Sequence, residues 1–213
     1  MLRPLASSKR CWATVLATVA LSIVFAHPAW ATPPNIPSAA TARSELNALT
    51  VAAEGSMTGY SRDLFPHWIT ISGNCSTRET VLTRDGSNVS VDGSCYPVSG
   101  SWYSQYDAVT LTSPSSVNID HVVALAEAWR SGAASWTTSR RQSFANDLTR
   151  PQLIAVSATS NRSKGDQDPS AWKPRASYQC TYSRMWIRSK YAWGLKLQAS
   201  EKSALQSMLN GCS

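Results

Sequence analysis

Beyond its first 31 residues the chain has no apolar run long enough to cross a membrane, no C-x2-C pair, no internal repeat and only two histidines, His67 and His121. Each shortage excludes something. A spanning helix needs about 20 consecutive apolar residues. A structural zinc site draws on closely paired cysteines. Without a repeat there is no tandem array. Charge is also sparse, with 20 Lys+Arg against 13 Asp+Glu in 213 residues. Three of the basic residues and none of the acidic ones fall in the first 31, so the net charge of +7 drops to +4 for the remainder. That modest excess permits a polyanionic partner without demanding one.

The first 31 residues read as a secretory signal. Arg3, Lys9 and Arg10 form a basic start, residues 11–26 an apolar stretch, and Ala29-Trp30-Ala31 a small-residue cleavage site. Removing 31 residues from 213 leaves 182, enough for one domain with a sizeable core and no membrane segment. Cys11 leaves with the signal. Cys75, Cys95, Cys180 and Cys212 remain in an exported chain, and two disulfides are the default. Of three connectivities, Cys75 with Cys95 and Cys180 with Cys212 close local segments, each contributing about 3 kcal/mol in the loop-entropy picture.

Residues 32–59 form a Pro-rich leader and a weak helical pattern through Leu46, Leu49 and Val51. Residues 60–68 are aromatic and turn-rich, a surface segment in which His67 reads as structural. Ser76-Thr77-Arg78-Glu79 is a capping box, so a short helix spans 78–84 and ends at Asp85-Gly86. Val89, Val91, Val109 and Leu111 alternate with polar residues, giving an antiparallel meander over 88–117. Helical patterns follow just after His121, over 139–148 and over 178–193, and Ser200 is placed as the cap of a last helix ended by Gly211.

The chemistry gathers in residues 117–166. Asp120 and His121 end one apolar strand, Leu153 and Val156 belong to another, and Asn161, Arg162 and Lys164 open a helix. Phosphodiester cleavage needs a base, a cation on the scissile phosphate and donors for its oxygens. His121, with an ordinary imidazole pKa near about 6.5, is the base. Asp120 and Asn161 offer hard oxygens, a set that favours Mg²⁺, or Mn²⁺, over zinc. Neighbouring strand residues point to opposite faces, so Asp120 and His121 share a site only where the strand ends or bends. Lys164, one helical turn past Asn161, is placed against substrate phosphate. Arg162 and Arg78 are further phosphate contacts, and Glu127 is placed beside the metal or its water. A scatter of Arg140, Arg141, Arg150, Lys173 and Arg175 surrounds the motif.

This arrangement resembles the HNH, or ββα-metal, nucleases, whose second half reads approximately N-L-x-x-L-x-x-x-x-N-x-x-K. The chain matches it at Leu153, Val156, Asn161 and Lys164 and departs from it at Gln152, where Asn is expected. That departure leaves open what braces the loop after His121, with Asn146 and Asp147 as substitutes. Cys75-Ser76-Thr77-Arg78, the stretch from Asp120 to Ala133, and the blocks 144–148 and 161–166 are similar to a secreted branch related to the C-terminal domain of GmrSD-type restriction enzymes, the DUF1524 family.

The resemblance implies an α+β fold: one disulfide-stapled domain over 60–213, built on a ββα-metal core at 117–166 with flanking helices and a small meander. It implies a monomeric, secreted, metal-dependent endonuclease acting on DNA, with RNA as a second substrate class. It does not imply the restriction activity of intracellular relatives. Two other readings stay open: a disulfide-stabilised binding module without catalysis, and a toxin-type nuclease. The protein recovered from the medium should begin near Thr32 and show no free thiol before reduction. N-terminal sequencing and thiol titration check both, and two free thiols would break the pairing.

Overall fold

The computed structural model describes Met1 and residues 32–212, so the signal segment lies outside the described residues. Helix α1 (Ala39–Ala48) starts at Ser38, whose hydroxyl accepts from the Thr41 amide, one of the orphan donors of a helix start. Strands β1 (Thr70–Ser72) and β2 (Cys75–Ser76) lead into α2 (Thr77–Asp85). Ser76 is the N-cap as expected, its hydroxyl accepting from the Arg78 amide and donating to the Glu79 carboxylate, a side-chain contact in place of the reciprocal backbone bonds of a capping box. Gly86 follows α2 in extended backbone, and a side chain is excluded there because a Cβ would lie 2.4 Å from Val89 Cγ2 and 2.6 Å from Trp102 Nε1. The expected meander is β3 (Ser87–Val91), β4 (Pro97–Ser104) and β5 (Val109–Leu111), antiparallel throughout.

Strands β6 (Val117–His121) and β7 (Leu153–Ser157) pair antiparallel from Val117↔Ser157 to His121↔Leu153. Between them lie α3 (Leu125–Arg130) and α4 (Thr138–Ala145), and α5 (Ala158–Lys164) follows β7 directly. The chain closes with α6 (Gln179–Trp193) and α7 (Ala199–Asn210). The cap of α7 is Gln198 and not Ser200: Gln198 and Glu201 form a reciprocal capping box, starting the helix two residues earlier. Both expected disulfides are formed, Cys75–Cys95 with Cα atoms 5.1 Å apart and Cys180–Cys212 with Cα atoms 5.2 Å apart. The second ties the start of α6 to the end of α7.

The β6–β7 ribbon is a wall between two apolar cores. The pleat sends Ile154 and Val156 of β7 into the larger one, with Leu46 of α1, Phe144 of α4, Trp186 of α6 and Leu205 of α7. It sends Leu153 and Ala155, with Val117 and Ile119 of β6, into a smaller one with Val81, Leu82 and Trp102. All five residues of β7 are buried, which explains their continuous apolar run.

One charged group is enclosed among the helices. The Lys190 ammonium donates to Glu127 Oε1 at 2.7 Å, Glu201 Oε2 at 2.8 Å, Ser131 Oγ at 2.9 Å and the Lys196 carbonyl at 2.9 Å. Burial pushes the Glu201 carboxyl up to about 7, against the downward pull of Lys190. Removing the cation would leave two buried carboxylates facing each other. Lys190→Met should therefore cost about 3–5 kcal/mol, read as a shift of the urea midpoint at unchanged slope. A cost below about 1 kcal/mol would mean that the cluster relaxes to water.

Candidate active site

Strand β6 delivers Asp120 and His121 as its last two residues, in register with Ile154 and Leu153. The strand does end at His121, yet the pleat persists to that point and separates the two side chains. Asp120 meets Tyr106, whose hydroxyl donates to Oδ2 at 2.7 Å, and Lys164, whose ammonium donates to Oδ1 at 2.9 Å. Burial raises the Asp120 carboxyl above its usual range, with Lys164 acting in the opposite sense. The same ammonium donates to the His121 carbonyl at 2.9 Å, so α5 is bonded to both residues of the strand end.

The His121 ring lies among aromatic groups. It stacks on Trp68 with centroids 5.3 Å apart, and His67 stands edge-on at 6.3 Å. Trp68 has φ of +58°, a left-handed backbone that a bulky residue adopts only when its surroundings impose it. Asn146 helps to impose it, accepting from the Ile69 amide at 3.2 Å and donating to the Pro66 carbonyl at 2.8 Å. His121 Nε2 lies 2.9 Å from the Ala145 carbonyl. A carbonyl only accepts, so Nε2 carries the proton and Nδ1 keeps its lone pair. Burial pushes the imidazole down to about 3, and the positive charges of Arg62 and Lys164 add to that. The ring is thus a neutral acceptor at any ordinary pH.

A pocket of about 230 Å³ opens at this strand end, lined by Tyr60, Arg62, Ile119, His121, the start of α3, Asn161, Gly165 and Asp166. Asn161 reaches it from α5, and among the described residues its side-chain amide has no hydrogen-bond partner. Gly165, with φ of +55°, ends α5 and turns the chain so that Asp166 comes to the pocket wall. Arg130 fixes Asp166 there, donating to Oδ2 at 2.8 Å and to the backbone carbonyl at 2.7 Å.

Of the residues singled out from sequence, His121 and Asn161 share this pocket, and Asp120 lies behind its wall. Four others are placed differently. Lys164 is fully buried and ion-paired with Asp120, so it braces the strand end and has no surface to offer a phosphate. Glu127 is fully buried too, held by Lys190, Ser131 and Arg130 away from the pocket lining. Arg78 pairs with Glu79 at the start of α2, outside the pocket. Arg162 is exposed on α5 and lines a neighbouring groove with Asp107, Ser115 and Ser157.

Gln152 answers the question its position raises. Its Oε1 accepts from the Val123 amide at 3.3 Å and its Nε2 donates to the Val123 carbonyl at 2.8 Å, a two-point clasp on the loop after His121. Asn146 and Asp147 do not substitute. Asn146 braces the segment before β1, while Asp147 caps Thr149 and Arg150 and accepts from Trp193. Sequence reading missed Arg62, Tyr60, Tyr106 and Asp166. All but Asp166 lie outside the motif blocks, and Asp166 ends one without a spacing that marks a role.

The family model for GmrSD restriction endonucleases, C-terminal domain, matches residues 80–208. The chain belongs to this family. An uncharacterized secreted protein of Arthroderma benhamiae is 63% identical over 201 residues, covering 93% of this chain and 98% of the relative. The GmrSD C-terminal-like chain described here is likewise a secreted protein. No solved structure matches it.

The desolvated imidazole makes stability depend on pH with a definite sign. His121 titrates near about 6.5 when unfolded and about 3 when folded, so the unfolded chain binds the extra proton between those values. Its stabilising contribution is complete above 6.5 and is lost as pH falls toward 3, by about 1.4 kcal/mol per unit. Denaturant titrations of the parent and His121→Gln should therefore converge as pH drops from 7 to 4. A constant gap between them would show that the ring is not held neutral by burial.

Proposed function

We propose that this protein is a secreted, metal-dependent endonuclease that hydrolyses phosphodiester bonds of DNA, and of RNA as a second class, with little sequence preference. The observation that carries the reading is the pocket itself. It joins a neutral histidine with an open Nδ1 lone pair to an unpartnered amide on the helix that follows the β6–β7 pair. In this reading β6, β7 and α5 are the ββα-metal core of an HNH-type nuclease, and family membership supports that reading.

Asp120 and Asn161 would hold a divalent cation, Mg²⁺ or Mn²⁺. The donor types are the hard oxygens such an ion takes, with Asn161 in the pocket and Asp120 behind its wall, bonded to Lys164 and Tyr106. Lys164 and Asn161 are three apart on α5 and so share a face, and Lys164 already sets its ammonium against the Asp120 carboxylate. A carboxylate has about four acceptor sites, so the single bonds from Lys164 and Tyr106 leave Asp120 with capacity to spare. When bound, such an ion supplies Lewis-acid stabilisation of charge on the scissile phosphate. The protein's own part is proton transfer and orientation. His121 takes a proton from the attacking water at Nδ1, while the Ala145 carbonyl holds the ring in the required tautomer. Lys164 and Tyr106 hold the Asp120 carboxylate in one rotamer. Gln152 holds the loop that follows.

A base of pKa about 3 would be weak, but a phosphate anion in the pocket favours the protonated ring and raises that value in the complex. The site thus becomes a better base when substrate is in it.

Plasmid nicking with Mg²⁺, and with EDTA, tests the proposal. The parent should nick only with metal. His121→Ala should lose about 10²- to 10⁴-fold in rate while still binding DNA, since only the proton acceptor is gone. Asp120→Ala and Asn161→Ala should each lose orders of magnitude and demand more Mg²⁺. His67→Ala should cost far less than His121→Ala. Parent-like cleavage by His121→Ala, or cleavage undiminished in EDTA, overturns the reading.

A further inference from the structure

The charges around the pocket do not balance. The Asp166 carboxylate has a partner in Arg130, which it shares with Glu127 and Glu54. His121 is neutral, Asn161 is an uncharged amide, and burial raises the Tyr60 hydroxyl above its ordinary pKa, so it stays protonated. Asp120 is answered by Lys164. That leaves Arg62. Its guanidinium is exposed, lines the pocket and has no carboxylate or carbonyl partner among the described residues. Its neighbour Asp63 turns to Ser61 instead. Its charge nevertheless bears on both His121 and Asp120.

The backbone beneath this side chain is firmly held. Ser61 caps the short turn through the Asp63 amide at 3.2 Å, and the Arg62 carbonyl accepts from the Phe65 amide at 3.0 Å. Phe65 is fully buried, edge-on to Trp129 and Phe144. Arg141 donates to the Leu64 carbonyl at 2.8 Å. A free cation on so fixed a base makes its side of the pocket a site for an anion. A guanidinium presents paired N–H groups that match two phosphate oxygens.

We infer that Arg62 is the phosphate-binding residue of this pocket, supplied by residues 60–68, a segment that precedes the region matched by the family model. The identity of the anion as a nucleic-acid phosphodiester rests on the nuclease reading above, whereas the anion site itself does not. Arg62 grips the phosphate between His121 and Asn161, and its two-point contact orients that group for attack.

The test uses the whole secreted protein in EDTA, with a short fluorescein-labelled DNA duplex over a salt series and, separately, inorganic phosphate followed by NMR. Arg62→Ala should bind the duplex roughly tenfold more weakly and flatten the salt slope by about one unit, the share of one phosphate contact. It should also lose the phosphate-dependent shifts of the pocket residues. Arg62→Lys should restore the slope but not the parent's cleavage rate, because a point charge lacks the fork. If Arg62→Ala keeps the parent's affinity, slope and phosphate shifts, the inference fails. It also fails if the parent binds neither probe. A parent that binds both through Arg62 yet never nicks plasmid would uphold the anion site and sink the nuclease reading.

Discussion

The ammonium of Lys164 is the group on which the candidate site depends. It is fully buried, and it reaches from α5 to the end of β6, touching Asp120 Oδ1 and the His121 carbonyl at 2.9 Å each. An ammonium has three donors and no other way to satisfy them inside protein. The contact therefore fixes the helix against the strand in distance and in rotation. Because Asn161 lies one turn earlier on α5, fixing Lys164 also fixes Asn161 at the pocket. A single buried ion pair thus sets the spacing of three site residues drawn from two elements far apart in sequence.

A second enclosed cation plays a parallel part on the far side of the pocket. Lys190 of α6 holds Glu127 of α3, and Glu127 shares its other oxygen with Arg130, which in turn clasps Asp166. Arg130 also pairs with Glu54 at 2.5 Å, so the segment after α1 is drawn into the same chain of contacts. Exposed pairs such as Arg130–Asp166 contribute little stability on their own. Their value here is positional, since Glu127, the inner end of the chain, is buried and cannot move to water. The carboxylate at the pocket wall is consequently tethered to the helical core and not to its own loop.

Much of this was legible in the chain. The strand ends, the helix after β7 and both disulfides follow from alternation, capping and local cysteine pairing, because those signals act over a few residues. What escaped reading depends on distant contacts. Lys164 looked like a phosphate ligand because a lysine at that spacing carries no mark of burial, and only the packing of Tyr106 and Asp120 above it decides the matter. Glu127 shared a helical face with the motif on paper, yet α6 supplies, 63 residues later, the lysine that claims it. Gln152 departs from the expected Asn and leaves the brace of the loop open, but its extra methylene brings the amide to both backbone groups of Val123. Arg62 gave no signal at all, since its place beside His121 is set by the burial of Phe65 and not by any spacing to the motif.

The burial of His121 shows how such a site can be silent until occupied. Desolvation holds the ring neutral with a pKa of about 3, and the nearest unanswered charge, Arg62, is positive and works in the same direction. An empty pocket therefore contains a base that is always available and always weak. An anion bound at Arg62, as proposed, would offset that charge as His121 experiences it and so remove one depressing influence on the ring. In the proposed mechanism the ring would accept a proton more readily with a phosphate beside it. Such coupling needs no moving part, only an arginine, a histidine and an anion held close together in a poorly hydrated space.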